Sequence, residues 1–281
     1  MKKIIFLAFP LILVFSSCKK LSDSNNNTLL VLSGYLYQDE KVDSIHLLKS
    51  LPFSSQDTVY EPVEGAKATI TWNNQKFVLS DIGNGYYSYN GSDLPVSIGE
   101  TYSINIDYDG IVLTSSTKVP AKTTIQSLSD NTILIDTVRT FGPPQDGGNS
   151  MSGLQITWDN PDKSYFYIVI ESADSTAGSI VLDNRNFPGF PGDGNNPGVF
   201  RLRSQPFIGS SYTINSRILT KYGKHVIKVY SVNQEYANLY ENRTQDSRSL
   251  SEPVTNVTNG LGIFTAFSYA EATFYVKNKY R

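Results

Sequence analysis

Cysteine occurs once in this sequence of 281 residues, at position 18, and histidine twice, at His46 and His225. A single thiol allows no internal disulfide, so the fold cannot lean on covalent staples. One cysteine and two distant histidines also fall short of the three or four clustered ligands a zinc centre needs. Charge is scarce too, at 18% of residues, with 24 Lys and Arg against 26 Asp and Glu. That balance lacks the basic footprint of a nucleic-acid binder. No apolar run reaches the roughly 20 residues that a membrane-spanning helix requires. The sequence is rich instead in aromatics, with 18 Tyr and 14 Phe, and such residues favour strands. Its length allows about two domains, each able to bury a core.

The N-terminus carries the plainest signal. Lys2 and Lys3 precede an apolar run from Ile4 to Phe15, then small Ser16 and Ser17, then Cys18. This is the order of a secretory signal peptide. Phe15-Ser16-Ser17-Cys18 resembles a lipobox, the bacterial lipoprotein cleavage motif, although Leu is commoner than Phe at its first position. The expectation is a signal peptide over 1–17, acyl chains on Cys18, and a polar tether over 18–28. More than one acyl chain would give stable anchoring where a single chain binds marginally. Loss of residues 1–17 removes two lysines and no acid, leaving 22 basic against 26 acidic residues, a net charge of −4.

Beyond the tether the pattern is strand after strand. Tyr102, Ile104, Ile106 and Tyr108 alternate at period two, Asp109-Gly110 supplies a hairpin turn, and Ile111 to Ser115 returns. Asn73-Asn74 and Asn84-Gly85 punctuate earlier strands in the same way. Pro120 marks a boundary near residue 122. In the second half, GLQITWDNP, YFYIVIESA and HVIKVYSVN together resemble a fibronectin type III fold. Residues 233–242 space Tyr236, Leu239 and Tyr240 as a helix would, and ATFYV reads as the final strand. The segment 184–211 is too rich in Gly and Pro for a regular element, and a loop of that length is usually functional or disordered. The expected architecture is therefore all-β. It has two tandem β-sandwich modules, over 29–122 and 123–281, the second holding one short helix and the insertion.

A search for chemistry finds little. His46 and His225 fall on different strands of different modules, where strand histidines are usually solvated or satisfied side chains. GNSMSG (148–153) lacks the spacing of a nucleophile elbow. Asp107-Tyr108-Asp109-Gly110 resembles the start of a calcium loop, but a hairpin turn explains it. The oxygen-rich residues between Asp183 and Asn196 read as an ordinary polar loop, and no carboxylate pair stands out. Catalytic residues, metal and cofactor are therefore all expected to be none. The candidate binding groups are Phe187, Phe190, Phe200 and Phe207, which lie in the insertion away from any periodic strand. Exposed aromatics of this kind often dock partners, while packing of the loop onto its own domain is the simpler reading.

Several segments taken together resemble one family. VEGAKATITWNNQKFVLSDIGNGYYSY fits the pattern of transthyretin-like and carboxypeptidase-regulatory-like β-modules, and IGETYSINIDYDGIVLTSSTKVP fits the hairpin that follows. SEPVTNVTNGLGIFTAFS (251–268) is the most specific stretch. In this order, behind a lipobox, they resemble the Bacteroidetes lipoprotein family DUF4249. The resemblance implies a cell-envelope lipoprotein at the outer membrane, often encoded beside a TonB-dependent receptor. The expected function is a non-catalytic binding or accessory module partnering such a receptor in nutrient uptake. An envelope or adhesion-like spacer is the alternative.

Overall fold

The computed structural model describes residues 29–51, 60–135, 153–174, 176–180, 201–241 and 254–279. Its first half contains β1 (Leu30–Tyr37), β2 (Ser44–Lys49), β3 (Glu61–Pro62), β4 (Lys67–Trp72), β5 (Gln75–Val78), β6 (Ser80–Gly83), β7 (Tyr86–Ser88), β8 (Thr101–Tyr108) and β9 (Ile111–Lys118). Its second half contains β10 (Ile125–Leu128), β11 (Thr132–Ile135), β12 (Gly153–Trp158), β13 (Tyr165–Ser172), β14 (Arg201–Arg203), β15 (Phe207–Ile208), β16 (Ser211–Asn215), β17 (Gly223–Val232), the helix α1 (Gln234–Glu241) and β18 (Leu261–Asn278). The protein is all-β with sandwich cores.

Turn chemistry sets the hairpins. Asn73 and Asn74 join β4 to β5, Asn84 and Gly85 join β6 to β7, and Asp109 and Gly110 join β8 to β9, all at positive φ. Two consecutive residues at positive φ make the tight turn whose twist matches that of paired strands. Asn, Asp and Gly bear that conformation at the least steric cost.

Alternation then divides the strands into layers. In the first sandwich β5-β4-β8-β9 faces a sheet containing β1, β2, β7 and β6. Leu32, Leu36, Ile45, Leu47, Ile70, Ile104 and Ile106 fill the space between them. In the second, β10-β12-β16 faces β14-β13-β17-β18. Trp158, Ile168, Ile170, Ile214, Ile227 and Phe274 fill that core. Burying each such side chain is worth roughly 1.5–3 kcal/mol.

The two sandwiches are not separate beads. β18 runs for 18 residues, about 60 Å at the usual rise per residue. Its first half pairs in parallel with β1, Val31 to Leu261 through Tyr37 to Phe267. Its second half pairs antiparallel with β17 and parallel with β11. Phe264 and Ala266 lie in the first core, while Phe274 and Val276 lie in the second. The sequence boundary near residue 122 separates the strands up to β17, but residues 254–267 return to the first sandwich.

The chain before β18 is fastened as firmly. Thr258 pairs with Thr114 of β9, and Ser115 donates to the Asn256 carbonyl at 2.8 Å. The Asn256 side-chain amide donates to the Phe264 carbonyl at 2.8 Å, and its oxygen accepts from the Phe264 N–H at 2.9 Å. One side chain thus takes the place of a neighbouring strand.

The helix α1 lies within the expected range. Asn233, just before it, donates to Thr117 and to the Lys118 carbonyl of β9. The helix thereby ties the second sandwich to the first.

Candidate functional site

The strand alternation that sends Phe264 and Phe274 inward sends Phe267 and Tyr269 to the opposite face of the shared sheet. A third apolar cluster forms there from Tyr167, Val169, Tyr230, Val232 and Phe267, with Tyr35, Tyr37 and Tyr236 packed against it. Tyr167 and Tyr230 are direct cross-strand partners. Their rings stack at 4.7 Å, 1° from parallel. Tyr37 stacks on Phe267 at 5.1 Å, and Tyr236 of α1 meets the same ring edge-on at 4.9 Å. Such aromatic pairs add about 0.5–1.5 kcal/mol beyond the area they bury.

One end of this cluster opens as a groove of about 400 Å³, lined by Tyr37, Tyr167, Tyr230, Glu40, Glu171, Arg201, Arg203 and Lys228. Tyr37 and Glu40 belong to the first sandwich and the rest to the second, so the groove exists only because the two share a sheet. Its basic groups come from neighbouring strands. Arg201 and Arg203 stand two apart on β14 and are exposed, and Lys228 lies on β17. Glu171 accepts an ion pair from Arg201 at 2.8 Å. Lys228 sits 4.7 Å over the Tyr269 ring, whereas Arg203 makes no ion pair among the described residues. Burial pushes the Tyr37, Tyr167 and Tyr230 hydroxyls above their ordinary pKa, so they remain protonated donors. The groove therefore offers phenolic and guanidinium donors over an aromatic floor, with no nucleophile paired to a base.

The residues singled out from sequence are scattered. Phe207 is half-buried in the second core, 6.0 Å from Trp158 and 6.2 Å from Tyr212. It serves packing rather than an exposed docking surface. Phe187, Phe190, Phe200 and Cys18 lie outside the described residues. The end of the expected insertion is regular: residues 201–203 and 207–208 are strands pairing with β13.

The two histidines do not meet. His46 is on β2, stacked on Tyr86 at 4.0 Å. His225 is on β17, with β18 and β1 between. It is buried and stacked on Phe274 at 5.3 Å. Alternation puts the two side chains on opposite faces of the sheet. Among the described residues no three His, Cys, Asp or Glu side chains gather as a metal site, and no helix is long and apolar enough to cross a membrane.

Burial holds the His225 imidazole below its ordinary pKa, against the opposing pull of the Gly223 carbonyl. The unfolded chain then binds the proton more readily than the folded one. Stability from this group is full above the unfolded value of about 6.5 and drains away as pH falls below it. The urea midpoint is expected to drop between about pH 7.5 and pH 5. His225→Phe, which keeps the ring stack, should flatten that drop, and an equally steep profile in the variant would contradict this account.

Sequence inspection missed the groove because its tyrosines looked like ordinary strand residues. The available signal was RLR, two basic residues in alternation at the end of a segment read as irregular.

The fold defines an all-β protein of two sandwiches fused through one strand, with a groove where they join. The chain belongs to the family described as Domain of unknown function (DUF4249), whose model matches residues 19–273. No curated protein matches it. Among solved structures it is similar to domains A168–A170 of titin, at 12% identity and a TM-score of 0.21. That match covers 89% of this chain and 66% of the titin chain, just short of two thirds of the latter's length.

Proposed function

We propose that the chain is a lipid-anchored, non-catalytic binding module of the bacterial cell envelope that docks a partner protein through the groove on the shared sheet. The observation that carries this reading is the groove itself, whose aromatic floor and basic rim come from both sandwiches. Tyr and Arg are the residue types that dominate energetics at protein interfaces. Attachment rests on the sequence: the basic start, the short apolar run, Cys18, and the polar residues that follow. Family resemblance supplies the partner, a TonB-dependent receptor of the outer membrane in nutrient uptake, and the Bacteroidetes setting.

Two measurements test the two halves. Labelled palmitate fed to the producing cells should mark the wild-type chain, and Cys18→Ser should abolish the label and release the protein from membranes. Crosslinking in native membranes should join the wild type to the receptor. Arg201→Glu with Arg203→Glu should cut that yield about tenfold, the loss of one or two hot-spot contacts, while the urea midpoint falls only slightly, through loss of the partly exposed Arg201–Glu171 ion pair. Equal crosslinking by the double variant would sink the groove as the docking surface. The fusion through β18 favours one second reading, a rigid envelope spacer, which expects no receptor crosslink from either protein.

A further inference from the structure

The groove offers a ligand hydroxyl groups rather than open ring faces. Tyr167 and Tyr230 are more than nine-tenths buried, at 7% and 4% exposure. Their rings lie on each other, and Tyr37 lies on Phe267. Yet the Tyr167 and Tyr230 hydroxyls have no hydrogen-bond partner among the described residues, and neither oxygen is one of the enclosed polar atoms of the fold. Both residues line the groove. A tyrosine that buries its ring usually finds a partner for its O–H. Two such donors left open at one mouth call for an acceptor from outside.

The surroundings favour a charged acceptor. Burial raises the Tyr37 and Tyr167 hydroxyls, and the Arg203 guanidinium is near enough to both to pull the other way. Arg203 itself makes no ion pair among the described residues. Strand pairing puts Arg201, Arg203, Lys224 and Lys228 on the same face as Tyr167. Glu171 is the one acid that β13, β14 and β17 add to that face, and Arg201 holds it. This basic face belongs to a chain with more acids than bases. Glu40 in the opposite wall disfavours a dianion, which selects a carboxylate over a phosphate. Lys224 and Lys228 stand four positions apart on β17, roughly 13 Å, a span that one small acid cannot cover.

We infer that the group captured by the groove is the carboxylate of an Asp or Glu side chain in an acidic segment of the partner protein, a step that rests on the docking role proposed above. One carboxylate oxygen accepts from the Tyr167 and Tyr230 hydroxyls and the other from Arg203. Lys228 and Lys224 meet further acids along the segment.

Nuclear magnetic resonance of the full chain in detergent, with isotope-labelled tyrosine rings, tests this. The probes are an eight-residue Glu-Ser repeat blocked at both ends, its Gln-Ser counterpart, and acetate. The Glu peptide should shift the Tyr167 and Tyr230 signals saturably, and the Gln peptide should not. Tyr167→Phe with Tyr230→Phe keeps the ring stack and removes only the donors. Read on the Tyr37 signal, that double variant should bind the Glu peptide at least about tenfold more weakly, the worth of a hydrogen bond to a charged acceptor. It should not lower the thermal midpoint of the free protein, because the lost hydroxyls have no partner there. Arg203→Gln should weaken binding about as much. Equal binding of the two peptides, acetate binding as tight as the Glu peptide's, no binding by either peptide, or wild-type affinity in both variants would each overturn the assignment. The receptor crosslink keeps the two readings apart. A crosslink that depends on Arg201 and Arg203, without preference for the Glu peptide, would leave the docking surface standing and remove carboxylate recognition. Selective binding of the Glu peptide with the crosslink unmoved would do the reverse.

Discussion

Gly262→Ala is expected to remove a large part of the protein's stability. Gly262 opens β18 at a φ of 102° and pairs directly with Leu32. A methyl group there would overlap the Leu32 carbonyl, which is backbone and cannot swing aside. The positive φ adds strain for any residue with a Cβ. Together these place the substitution among the exceptional cases of roughly 4 kcal/mol or more, against a typical total of about 5–15 kcal/mol. Urea denaturation with circular dichroism measures it. A midpoint equal to the wild type's would mean that β18 can enter the first sandwich some other way.

Phe264→Ala and Phe274→Ala make the second large prediction. Both rings are fully buried, ten residues apart on β18, one in each core. Each truncation should cost about 3–5 kcal/mol from lost transfer energy and the cavity left behind. The informative result is where the loss appears. Trp72 packs on Tyr102 in the first sandwich, and Trp158 lies in the second core. In single-tryptophan versions carrying Trp72→Phe or Trp158→Phe, either alanine variant should lower both fluorescence midpoints together. If Phe264→Ala lowered only the Trp72 transition, the sandwiches would be independent domains despite their common strand.

The parts of this fold legible in the sequence are those written in local pattern. Period-two alternation in β8 and β9, the Asn-Asn, Asn-Gly and Asp-Gly turns, and the helical spacing of Tyr236 and Tyr240 all declare themselves within a few residues. What escaped is non-local. ATFYV was readable as a strand, but nothing nearby says that it continues back through Leu261 or that its first half leaves for another core. The NGLGIF segment stood out only by family resemblance. Its physical content is a glycine that tolerates close contact with Leu32 and a phenylalanine held by Asn256, and both depend on residues far away in sequence. The groove was invisible for the same reason: Tyr37, Tyr167, Tyr230 and Arg203 come from four strands that only the shared sheet brings together.

The parallel pairing of β1 with β18 also dictates an order of events. Val31 waits for Leu261, which follows it by 230 positions. Ribosomes make the chain from its N-terminus, so β1 and β2 are complete long before the strand that covers their free edge. An open edge is a template for pairing with the wrong chain, and contacts between distant residues form slowly. The nascent protein therefore spends most of its synthesis with its first sandwich unfinished. It needs either a holding chaperone or a folding step deferred until the last strand is available.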